Sequence, residues 1–161
     1  MQKVKIELKW ALLFSLMTLL WMTGEKLSGL HGTHIDKHMY LTNLYAIPAI
    51  IMMVLALKEK KRVLYQGNMS YKQGLLSGII LSLFIATLSP LTQWITSEII
   101  TPEYFPNVIE YALESGYFET RAEAEAQFNL TNYIIQGAIS ALVMGLLTTA
   151  VAMIFLRSKK S

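Results

Sequence analysis

All three histidines of this 161-residue chain fall in the segment His31–His38, HGTHIDKH. Imidazole nitrogens and carboxylate oxygens are ligands for zinc and other divalent transition metals. His34 and His38 are four positions apart, so one helical turn would bring them to the same face. Asp36 and His31 are further donors, and Glu25 can approach from the apolar run before them. One reading is therefore a zinc or nickel site on His34, His38 and Asp36. The other is a polar turn at a membrane interface, with Asp36 capping the next helix. Gly32, which interrupts a helix, and the ease with which a histidine pair at this spacing arises by chance favour the turn. Apart from such a metal, the sequence calls for no cofactor.

The elements that would position this segment are apolar. Hydrophobic residues make up 53% of the chain and charged residues 16%, against about 45–50% and about 25% in soluble domains. Crossing the hydrocarbon core takes about 20 mainly apolar residues. Four spans qualify, at about 10–30, 39–57, 74–100 and 132–156. Lys3, Lys5 and Lys9 ahead of the first also resemble the start of a signal peptide, but no small-residue cleavage site follows Met22. A soluble bundle is disfavoured because the uncharged runs lack the polar face of a surface helix. The expectation is a single all-α polytopic domain over 1–161 with four transmembrane helices.

Positive charge is retained on the cytoplasmic side of a membrane. Of the fourteen Lys and Arg residues, only Lys26, Lys37 and Arg121 lie outside the amino-terminal segment, the 58–72 loop and the tail. Both termini are thus expected in the cytoplasm of a cell with an inner membrane, and HGTHIDKH outside. Residues 102–131, between spans three and four, read as an extracytoplasmic helical hairpin. Pro102 can open its first helix, Gly116 supplies a C-cap, and Thr120 with Glu123 makes a capping box for the second. Six glutamates in it, from Glu103 to Glu125, face a single Arg121; they form a solvated acidic surface or a dock for a basic partner.

Gly74, Gly78 and Ser82 recur every four residues on span three, and Gly137, Ala141 and Gly145 do so on span four. Such rows allow close helix approach where lipid gives no hydrophobic drive to associate. They predict that spans three and four are neighbours, or that two copies of the chain pair. Ionisable residues are missing from the middles of the spans, which argues against a proton-coupled carrier working alone. Phosphate loops, nucleophile elbows and His-Glu-x-x-His helices are absent, so no enzyme activity is expected. With no cysteine, thiol chemistry is excluded. The basic cluster Lys58–Arg62 follows an apolar run, where anionic lipid accounts for it without nucleic acid.

The stretches YQGNMSYKQGLLSGIILS (Tyr65–Ser82) and TPEYFPNVIEYALESGYF (Thr101–Phe118), entering and leaving span three, resemble DUF4199, a family of small bacterial membrane proteins of unknown function. The resemblance implies a four-helix integral membrane protein and assigns no site residue; the histidine segment is not part of its pattern. The expected role is a non-catalytic accessory or assembly component in contact with the bilayer and a membrane partner or second copy. A small oligomeric transporter or channel is the alternative. Third comes a membrane-embedded or metal-handling protein using His31, His34 and His38.

Overall fold

The computed structural model describes residues 4–158; Lys3, Lys159 and Lys160, part of the charge argument, lie outside them. The helices are α1 (Lys5–Leu27), α2 (Ile35–Leu41), α3 (Ala46–Val63), α4 (Tyr71–Ile95), α5 (Tyr104–Glu114), α6 (Arg121–Gln127) and α7 (Leu130–Leu156). A 3₁₀ turn, Thr42–Tyr45, joins α2 to α3, and a π turn, Thr96–Ile100, extends α4. Four helical stretches are long and apolar enough to cross a membrane: Lys5–Leu27, Ile35–Val63, Tyr71–Ile100 and Arg121–Leu156, the last with a break between α6 and α7.

These helices overrun the apolar runs because nothing in the sequence stops them at the polarity boundary. Lys58–Arg62, expected in a loop, forms the end of α3, where cations suit the helix dipole. α1 instead stops before residue 30. Gly29, at φ +81°, takes the left-handed conformation, Leu30 N–H bonds Glu25 C=O (3.0 Å), and Gly29 N–H bonds Lys26 C=O (2.9 Å). This is a Schellman ending, and a side chain at Gly29 would also run into Thr33 Oγ1.

α4 is the central helix, packed most extensively on α7 and next on α1. Glycines set the α4–α7 approach. A methyl group on Gly74 would overlap Met153, one on Gly78 would overlap Thr149, and one on Gly145 would overlap Ser82. Gly137 differs from the other three, since a methyl group there would meet nothing within 4 Å. Ala141, half-buried, packs against the core of Ala11, Met53, Ala56, Leu81 and Ile85.

Near the chain termini the interior turns polar. The Glu7 carboxylate, on α1, lies 2.7 Å from Lys60 Nζ on α3 and accepts a 2.6 Å hydrogen bond from Ser77 on α4. All three are buried. Sequence reading misses this layer because Glu7 and Lys60 lie outside the apolar runs, in segments expected to be solvated.

At the other end α5 and α6 are two short helices. α5 begins at Tyr104, two residues after Pro102, and closes on Gly116 (φ +71°) through Tyr117 N–H to Ala112 C=O, 2.9 Å. The Thr120–Glu123 capping box opens α6. The six glutamates are exposed, and Arg121 pairs with Glu110 at 2.8 Å.

Candidate metal centre

The Schellman ending of α1 decides the chemistry at the α5–α6 end. By turning the chain back at Gly29, it places Leu30 and His31 in the interior beside the last turn of α1. His34 N–H to Gly29 C=O (2.8 Å) and Ile35 N–H to Gly32 C=O (3.1 Å) then tighten the loop into α2. His38, one turn into α2, faces back toward α1. Its Nε2 lies 3.4 Å from Glu25 Oε2, and His31 Nε2 lies 3.1 Å from the same oxygen. Ligand atoms of Glu25, His31 and His38 all lie within 4.8 Å of one another.

That spacing suits a metal. With zinc–ligand bonds of about 2.0–2.1 Å, tetrahedral geometry puts neighbouring donor atoms about 3.3 Å apart. Two imidazole nitrogens and one carboxylate oxygen make three donors, which leaves a fourth position for water or another ligand. Glu25 and His31 are buried and His38 is half-buried, so His38 marks the side reached from outside.

The surroundings hold the donors in place. The indole N–H of Trp21, one turn before Glu25, donates to Glu25 Oε1 at 2.6 Å, leaving Oε2 for the histidines. Tyr104, first residue of α5, sets its ring steeply inclined to those of both His31 and His38, 5.1 Å from each centroid. Its hydroxyl lies 3.1 Å from the Tyr133 hydroxyl on α7. Burial, reinforced by Tyr133 and by the charge of Glu25, pushes the Tyr104 phenol far above the ordinary tyrosine range, so it remains neutral beside the donors. Asn107, on the next turn of α5, donates to the His31 carbonyl at 2.8 Å. Lys26 ties the end of α1 to the Ile100 carbonyl and lies 3.4 Å from Glu103. His31 Nδ1 is buried without a hydrogen-bond partner among the described residues.

Two of the three residues expected as metal ligands are not in this group. α2 begins at Ile35, so His34 is its N-cap residue, exposed and without a side-chain cap bond. Asp36 sits exposed in the first turn and does not cap the helix. The helix starts too late to put His34 and His38 on one face, and His38 is joined by His31 and Glu25. Both were visible in the sequence as secondary donors. The missed signal was Gly29 just past the periodic end of α1, which folds residue 31 back against residue 25.

A bundle with four membrane-length helices and a His-His-Glu cluster, two of its members buried, defines a class, helical proteins with a candidate metal site at one end of the bundle. Residues 9–158 match the model of a protein family of unknown function, DUF4199, and the chain belongs to that family. No curated protein and no solved structure matches it.

Proposed function

We propose that this chain is a multi-pass protein of a bacterial inner membrane that binds one divalent transition metal ion, zinc by its donor set, through Glu25, His31 and His38. The observation that carries the reading is the convergence of two imidazole nitrogens on one buried carboxylate oxygen at tetrahedral edge distances. The membrane placement is supported by the four apolar helices. The orientation, termini in the cytoplasm and α2, α5 and α6 outside, is supported by the basic residues near the termini and the α3–α4 connection.

The role is non-catalytic: an accessory or assembly component whose outer hairpin, α5 and α6, docks a partner bearing basic residues. Metal and hairpin are linked through α5, which places Tyr104 on both histidine rings and Asn107 on the His31 backbone. Ion occupancy would fix the angle at which the exposed glutamates are presented. A second reading, chemistry at the metal, draws on the three-donor count, which leaves a coordination position open.

The test is metal analysis by inductively coupled plasma mass spectrometry on untagged protein purified in detergent, beside His31→Ala and His38→Ala variants. Wild type should carry about one equivalent of zinc, the stoichiometry of a single site, and both variants should lose it. Zinc-supplemented wild-type protein without metal would overturn the assignment.

A further inference from the structure

A second site lies below the metal centre, within the helices themselves. A cavity of about 380 Å³ lies between α1, α3, α4 and α7. α1 and α4 form its floor, with Phe14, Thr18 and Ile85, and α3 and α7 form its walls. The walls come together low down, where Met53 Cε would lie 3.6 Å from a methyl group on Gly145. Ile50 and Met144 line the cavity yet are exposed, so the gap between α3 and α7 opens sideways, onto the bilayer in the membrane reading.

Among the described residues the lining carries no Asp, Glu, Lys, Arg or His, and it mixes apolar side chains with hydroxyls and two amides. Phe14, Met53 and Ile85 lie in the deeper part, with the hydroxyls of Ser15 and Thr148 beside them. Thr18, Asn43, Tyr45, Thr92 and Gln93 gather at the end nearest the metal centre, and the two hydroxyls of Thr18 and Tyr45 lie 2.7 Å apart. Asn43 donates its amide to the Met39 carbonyl at 2.8 Å, and Gln93 donates its own to Ser97 Oγ at 3.0 Å. Each amide oxygen is then left without a partner among the described residues. Both oxygens are accessible, Asn43 being exposed, so the polar end offers acceptors to a ligand that donates. Asn43, from the turn before α3, thus meets Thr92 and Gln93 of α4 at one cavity.

We infer that this cavity is a binding site for a neutral single-chain amphiphile taken from the bilayer, with its hydroxylated head at Asn43, Tyr45 and Gln93 and its hydrocarbon chain between Phe14, Ile85 and Met53. The volume is within the range of about 300–1,000 Å³ of small-molecule sites. The missing charge selects against ionised heads, whose burial without a partner is expensive. This site rests on the membrane placement and is independent of the metal.

Monoolein, a neutral one-chain glyceride with two hydroxyls, is the probe, titrated onto the detergent-purified protein and read by native mass spectrometry against oleate. Wild type should take up one monoolein, with oleate weaker by about tenfold, the discrimination expected when an ionised head is buried without a partner. Gly137→Trp, introduced where an added Cβ meets open space at the cavity lining, should occupy the cavity and abolish the adduct. Gln93→Met should weaken it several-fold with the fold intact, and Leu147→Trp, on the exposed side of α7, should leave it unchanged. Equal adducts in all four proteins would mean adventitious binding and overturn the site. So would a wild-type dimer that Gly137→Trp converts to monomer, because a second copy would then occupy the cleft. Protein recovered in the aqueous phase without detergent would remove the membrane placement itself, whereas an integral protein with no adduct would remove only this inference.

Discussion

Trp21→Phe separates a metal site from a structural histidine–carboxylate tie. The substitution keeps a ring that can pack near Tyr45, whose centroid is 6.0 Å from that of Trp21, and deletes only the N–H that bonds Glu25 Oε1 at 2.6 Å. Glu25 then loses its orienting donor in a site where it is 5% exposed and solvent cannot replace that donor. Loss of one such outer-shell hydrogen bond typically weakens metal affinity about 10–100-fold. At about 1.4 kcal/mol per tenfold, that is about 1.4–2.8 kcal/mol of binding free energy. Competition against a chromophoric zinc chelator in detergent gives the affinity directly. Zinc at about 100 times its Kd stabilises a protein by about 2.7 kcal/mol, so the zinc-dependent rise in Tm should shrink in parallel with the affinity. A Trp21→Phe protein that binds zinc as tightly as wild type, while His31→Ala binds none, would refute the claim that the indole positions the carboxylate. If zinc raises Tm equally in wild type and His31→Ala, the ion is bound elsewhere.

The remaining predictions concern the bundle. Gly78→Leu and Gly145→Leu should each lower the Tm of the solubilised protein, because the added atoms overlap Thr149 and Ser82 and overpacking costs about 1–3 kcal/mol. Gly137→Ala should leave Tm unchanged or raise it, by up to about 1 kcal/mol from helix propensity; a drop like that of Gly78→Leu would count against the described α4–α7 approach. Lys60→Met leaves Glu7 buried beside Ser77 and should destabilise by about 3–5 kcal/mol, while Lys60→Met combined with Glu7→Leu should recover most of the loss; denaturant or thermal scans of the pair would read the difference. The chain has no cysteine of its own, so single cysteines report topology. In intact cells an impermeant thiol reagent should label Glu119→Cys and spare Gly67→Cys, and labelling of Gly67→Cys would reverse the orientation.

The helical framework was legible because it rests on long-range averages. Uncharged apolar runs recover four membrane-length helices, and the small-residue rows place Gly74 and Gly78 against α7. Local signals also held for α6, whose capping box is a short-range contact. What stayed hidden depends on where helices stop and what packs sideways. His34 and His38 look paired only if the helix begins before residue 34, and it begins after. The link between Glu25 and His31 needs the chain reversal at Gly29, for which period counting has no term. Glu7 and Lys60 read as solvated because hydropathy is summed along the chain, whereas their burial comes from Ser77, far off in sequence. Gly137 belongs to a row of small residues and yet lines the cavity, since spacing along one helix does not say what lies opposite it.

The chain reversal at Gly29 also bears on the order of events during synthesis. All three donors come from residues 25–38, so the first two membrane-length helices and the loop that joins them contain the whole ligand set. Closing so short a loop carries little entropic cost, and an amino-terminal helical pair can form while the rest of the chain is still on the ribosome. Tyr104 and Asn107, which cover the histidines, emerge only after α4 has been made. An ion captured by the nascent hairpin would therefore be enclosed later by α5, and metal loading would belong to biogenesis, ahead of any exchange by the finished protein.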